Sequence, residues 1–128
     1  MQYTFGTVLS GTMEEVEEMV TAALAEEGFG VLTRIDVQAT LKTKIDVDRD
    51  PYVILGACNP SLANGMIELD EEIGALLPCN VVLRQDGDGV AVRFLDPDAM
   101  IEVVDAEGAD VIAAEARERL SRVAAAIA

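Results

Sequence analysis

The chain is 128 residues long, the span of one domain, and 51% of its residues are hydrophobic, enough to bury a core without disulfide or metal staples. Its 24 acidic side chains outnumber 9 basic ones and leave a net charge of -15, which excludes the clustered Lys and Arg of a nucleic-acid footprint and disfavours docking on anionic lipid. There is no His, so Ser-His-Asp and Cys-His catalysis are excluded along with the commonest nitrogen metal ligand.

Gln2 to Leu9, rich in Tyr, Thr, Phe and Val, predicts a strand ended by Ser10-Gly11. Thr12 followed by Glu15 is a capping box, and Met13, Val16, Val20, Ala23 and Leu24 recur at helical spacing up to Gly28. Val31 to Val37 predicts a second strand of only partly regular alternation, and Asp36 suits the cap of a short helix reaching Lys44 or Ile45. Tyr52 to Cys58 is a continuous apolar run that fits a strand buried on both faces. Asn59-Pro60 stops it, with Asn suited to an N-cap and Pro to the first helical position, so a helix over 61–70 follows, with Leu62, Met66 and Leu69 on one face. Glu71 to Gly74 closes that helix, and the run from Leu76 to Leu83 opens the next strand.

Asp86-Gly87-Asp88-Gly89 is a hairpin signal that makes this strand and Val90 to Leu95 antiparallel neighbours. The segment around Met100, Ile101, Val103 and Val104 fits either helix or loop. From about Glu107 a last helix carries Ile112, Leu120, Val123 and Ile127 on its apolar face, with Glu115–Arg119 and Glu118–Arg122 spaced as i,i+4 ion pairs. No linker or repeat interrupts the chain. The pattern predicts one α+β domain over 1–128, a two-layer sandwich in which a mixed or antiparallel sheet of about five strands carries helices on one face.

No stretch is apolar enough to span a membrane, because the longest uncharged run, 51–67, is broken by Asn59, Pro60, Ser61 and Asn64. The residues from Met1 to Phe5 show no basic segment leading into an apolar one, so no signal peptide is expected and the location expected is cytoplasmic. Thiols stay reduced there, so Cys58 and Cys79 are expected as free thiols. Acids dispersed along the whole chain, with Lys42 and Lys44 the only lysines, further suggest a salt-loaded, halophilic cytosol in which screening blunts self-repulsion.

The middle of the chain carries a resemblance. Pro51-Tyr52-x-Ile54-Leu55-Gly56-Ala57-Cys58-Asn59-Pro60, Ala63, then Ile73-Gly74-x-Leu76-Leu77-Pro78-Cys79-Asn80-Val81-Val82, with Asp96-Pro97 after the hairpin and the closing amphipathic helix, resemble the domain-of-unknown-function family 302 over essentially the whole chain. The resemblance implies a small α+β fold that pairs as a homodimer, in bacteria and archaea. It implies no activity.

Two similar Cys-Asn corners, one closing and one opening an apolar strand, are the best candidate site. If their strands are neighbours, Cys58 and Cys79 can act as a redox pair or hold a soft ligand, against the plainer explanation of two small buried hydrophobes. Asn59, Pro60 and Asn80 would add the amides of a helix start beside a strand end, although capping alone accounts for Asn59. Tyr52 is the aromatic whose hydroxyl would close such a pocket, unless it only packs. Asp86-Gly87-Asp88-Gly89 lacks the remaining ligands of a calcium loop, and two Cys are too few for a closed zinc site. No phosphate-binding glycine loop is present. No catalytic residue, metal ligand set or cofactor is therefore specified. The expectation is a non-enzymatic small-ligand-binding or sensing homodimer with its pocket at the Cys-Asn corners. The alternatives are a thiol-dependent redox or sulfur-handling protein and a structural or interaction module.

Overall fold

The computed structural model describes residues 2–128. Five strands, β1 (Thr4–Ser10), β2 (Gly30–Asp36), β3 (Tyr52–Cys58), β4 (Cys79–Asp86) and β5 (Gly89–Leu95), form one sheet in the order β1-β5-β4-β3-β2 with every neighbouring pair antiparallel. Helices α1 (Met13–Glu26), α2 (Val37–Ile45), α3 (Pro60–Leu69), α4 (Pro97–Ile101) and α5 (Ala109–Ile127) complete it, with a 3₁₀ turn over Glu71–Leu76. This is the α+β class expected from the sequence, with the sheet wholly antiparallel.

Local chemistry sets most element ends. Thr12 accepts from the Glu15 amide at 3.1 Å while the Glu15 carboxylate accepts from the Thr12 amide at 3.2 Å, the reciprocal capping box that starts α1. Asp36 caps α2 through the Ala39 amide at 2.9 Å, and Asp70 starts the 3₁₀ turn by accepting from the Glu72 amide at 3.0 Å. The β4–β5 hairpin turns on two residues, with positive φ (58°) at Gly87, where a side chain would be strained. Of the segment that fits either helix or loop, Met100 and Ile101 end α4, which Asp96 caps, while Val103 and Val104 lie beyond it.

The strand period places the core. Val53, Leu55 and Ala57 of β3, Val81 and Leu83 of β4, and Val90, Val92 and Phe94 of β5 point to one face, where Val16, Val20 and Leu24 of α1 and Leu120, Val123 and Ile127 of α5 meet them. All are buried, each worth roughly 1.5–3 kcal/mol for its larger aliphatic and aromatic side chains. Arg34, on the same face at the β2 edge, pairs with Glu17 of α1 at 2.8 Å. The opposite face carries a cross-strand row, Ile35–Ile54–Val82, that ends at Arg93.

The partial alternation of β2 has a physical cause. Its register with β3 slips between Val31 and Thr33, leaving Leu32 as an extra residue 69% exposed. Val31 stays opposite Ala57, while Thr33 moves opposite Gly56. In α5 the first half buries Ala109, Ala113 and Ala116 rather than long aliphatics. Those small residues let the helix sit close to α3, where a Cβ on Gly65 would lie 3.1 Å from Ile112. Among the described residues no helix is long and apolar enough to cross a membrane.

Candidate functional site

Because β3 and β4 are neighbours, Ala57 at the end of β3 lies directly opposite Cys79 at the start of β4. Cys58 is the next residue along β3, so the two Cys corners share one end of the sheet, with Cys79 on the core face opposite Ala57 and Cys58 at the alternate position. Both are free thiols and both are partly buried. They wall a cavity of about 40 Å³. Its floor is Phe29, Ala57 and Cys79; its sides come from Leu62, Ala63 and Met66 of α3 and from Leu77-Pro78 ahead of β4; its roof is Pro97 and Met100 of α4 with Ile112, Ala113 and Ala116 of α5. The walls are almost entirely apolar.

The cavity follows from the local sequence. Asn59 breaks β3 and starts α3, its Oδ1 accepting from the Leu62 amide at 3.2 Å, so α3 leaves the sheet directly beside Cys58. Asn59 Nδ2 donates to the Glu27 carbonyl at 3.5 Å, and Arg119 Nη1 donates to the same oxygen at 3.2 Å. One carbonyl thereby ties the start of α3 to the end of α1 and the middle of α5. Asn59 is the only buried polar side chain among the described residues, and no buried side-chain N or O atom among them lacks a partner. Its amide therefore positions the corner. On the other side, Gly56 lets β2 and the Leu77-Pro78 segment approach β3: a Cβ there would lie 2.1 Å from Thr33 Oγ1 and 2.8 Å from Pro78 Cγ.

Burial acts on the thiols. The Cys79 thiol is pushed up to about 11, first by desolvation and then by the nearby Cys58. Both causes favour the protonated form. No basic side chain lines the cavity.

Three of the sequence candidates fall outside it. Tyr52 begins β3, six residues and roughly 20 Å of strand away from Cys58, and it lines a separate open groove with Arg49 and Arg84. Asn80 pairs with Gly56 on the opposite face of the sheet and is exposed, since successive strand residues point to opposite sides. Pro60 is exposed at the first position of α3 and lines no part of the cavity. Among the wall residues that the sequence does not mark as site candidates are Met66 and Met100. Met66 reads there only as one apolar position of α3, and Met100 lies in the segment of undecided structure; neither carries a local signal for a site.

The domain-of-unknown-function model DUF302 matches residues 5–127. The fold is similar to a crystal structure of an uncharacterized conserved DUF302 protein from Bacillus stearothermophilus, with a TM-score of 0.91 and 26% sequence identity over 100% of both chains. No curated protein matches the chain. A family match spanning nearly every element of the sheet and both Cys corners establishes that this chain belongs to the DUF302 family.

Proposed function

We propose that the chain is a non-enzymatic small-ligand-binding or sensing domain, working in the cytoplasm as a homodimer, with its ligand in the cavity between Cys58 and Cys79. The observation that carries this reading is the cavity itself: a space of about 40 Å³ with apolar walls, placed where both Cys corners meet. A single water needs about 10–15 Å³ of such space and drug-sized ligands occupy clefts of about 300–1,000 Å³. The ligand is accordingly a species of one or a few heavy atoms. Asn59 makes its hydrogen bonds to the protein, so selectivity rests on size, dryness and sulfur chemistry.

Pairing is supported by the sheet face that α1 and α5 leave uncovered. Val8 and Ile35 there are 56% and 47% exposed, and Ile54 and Val82 beside Ile35 are half-buried. The apolar seam of α5 is used up inside the domain.

The presence of both cysteines in one cavity lining also favours a redox reading, in which Cys58 and Cys79 cycle through a disulfide. Against it stands the protonated state that burial imposes on Cys79, since the thiolate is the attacking form.

Xenon is a suitable probe for the ligand reading, because it fills small apolar cavities without needing a polar partner. Methyl-resolved NMR of the reduced protein under xenon pressure is expected to show saturable shifts at Leu62, Met66, Met100, Ile112 and Ala113 that vanish in an Ala63→Leu variant. Shifts that grow linearly with pressure across the whole surface would refute a ligand-accepting cavity. Sedimentation equilibrium checks the pairing: the wild type is expected as a dimer and Val82→Arg as a folded monomer, and a monomeric wild type would refute it.

A further inference from the structure

Four of the six described sulfur-bearing residues line the same cavity. Both cysteines wall the cavity, and so do Met66 and Met100, which are the two buried methionines among the described residues at 5% and 7% exposure. The main core, by contrast, buries Val, Leu, Ile, Phe and Ala and no methionine. Four sulfur-bearing residues from four places in the chain, the end of β3, the start of β4, α3 and α4, therefore line one small apolar cavity. We propose that this cavity is a binding site for a soft monovalent cation, Cu(I) or its analogue Ag(I), held by the thiolates of Cys58 and Cys79 with the thioethers of Met66 and Met100 completing the shell.

The donor set selects the metal. Thiolate and thioether ligands suit Cu(I), whereas imidazole, carboxylate and carbonyl sites suit Zn(II), Mg(II) or Ca(II). Among the described residues no three His, Cys, Asp or Glu side chains gather to hold a metal, so neither a closed zinc site nor an oxygen cage can form. A d10 monovalent cation needs only two thiolates for a linear complex, and weak thioethers can add to it. The apolar walls strip hydration, which a hard cation recovers only from oxygen ligands that are absent here. Binding balances as one cation exchanged for two protons: two S–H bonds break, two S–metal bonds form, both protons leave to solvent, and no electron is transferred. The packing explanation for Met66 and Met100, which also join Ile73 and Ala109 in a small second core, accounts for their burial but not for their lining one cavity with both cysteines.

This inference rests on the cavity being a ligand site, and its test separates the two. The reduced full-length protein is titrated anaerobically with Cu(I) in competition with bicinchoninate. The expected result is one Cu(I) per chain with a sulfur-only first shell by X-ray absorption. The Cys58→Ser/Cys79→Ser variant should lose retention by ~100-fold or more, and Met66→Leu and Met100→Leu by several-fold each, since those two swaps conserve volume and leave folding intact. Failure of the folded wild type to hold Cu(I) against bicinchoninate would overturn the site. So would equal retention by the Cys variant or, should that variant not fold, by both Met variants, and so would Zn(II) held as tightly as Cu(I). If xenon enters the cavity while Cu(I) does not bind, only the sulfur-site proposal falls; if xenon is also excluded, the ligand reading falls with it.

Discussion

Gly56 is where the architecture of the corner can be tested by adding a single methyl group. Its neighbours come from two elements: Thr33 of β2, brought opposite by the bulge at Leu32, and Pro78, which walls the cavity. In Gly56→Ala the new Cβ would stand 2.1 Å from Thr33 Oγ1 and 2.8 Å from Pro78 Cγ, both inside contact distance, so two neighbours must move. Overpacking of this kind costs about 1–3 kcal/mol, and the double overlap argues for the upper end. Replacing glycine in a strand returns roughly 0.5–1 kcal/mol of chain entropy, leaving a net loss of about 1.5–2.5 kcal/mol. The Thr33 hydroxyl can be removed separately. Thr33→Ala in the Gly56→Ala background should recover part of the loss, and the overlap with Pro78 should hold the remainder. Urea unfolding of the four proteins at constant m-value measures this directly. A Gly56→Ala protein within 0.5 kcal/mol of the wild type, or a loss unaffected by Thr33→Ala, would refute the packing described for this corner.

Other outcomes follow from the same geometry. The rise of the Cys79 thiol from its ordinary 9.0 to about 11 means that the folded protein holds this proton more tightly than the unfolded chain. Its contribution is complete below pH 9 and is lost as pH climbs towards 11, so by pH 10.5 the wild type should have lost about 2 kcal/mol more than Cys79→Ala, measured by urea midpoints. Parallel pH profiles would contradict this. Asn59→Ala removes the α3 cap and the bond to the Glu27 carbonyl and should cost about 1–3 kcal/mol, whereas Asn59→Asp should retain the cap and lose less; equal losses in the two variants would count against the cap. With a net charge of -15, the melting temperature should rise as KCl screens self-repulsion, even though exposed pairs such as Lys42–Asp46 and Arg122–Glu118 are screened too. Maximal stability in dilute buffer would oppose the salt-adapted reading.

What could be read in advance was local. Thr12 with Glu15, Asp36, and Asn59-Pro60 each fix a helix start through side-chain chemistry that lies within three residues, and Gly87 marks its hairpin in the same way. What could not be read was set by contacts distant in sequence. The meeting of Cys58 and Cys79 depends on the β3–β4 register, which no local signal states, and Leu69, grouped on sequence grounds with Met66, is 42% exposed because the helix ends there and the chain turns into the 3₁₀ segment. Strand period misplaced Asn80 only for want of that register. Once Cys79 is known to sit on the core face, its neighbour must point away. Met66 and Met100 are two thioethers among five methionines, and only packing singles them out.

The central claim is that the corners at Cys58 and Cys79 open onto one shared cavity, and a reagent that needs two adjacent thiols tests it most directly. Phenylarsine oxide condenses with a thiol pair with loss of one water, and intact mass of the native protein counts the product. One adduct per chain, absent from both Cys58→Ser and Cys79→Ser, is the predicted result. No adduct on the folded wild type, or an adduct that survives either single substitution, would contradict the account.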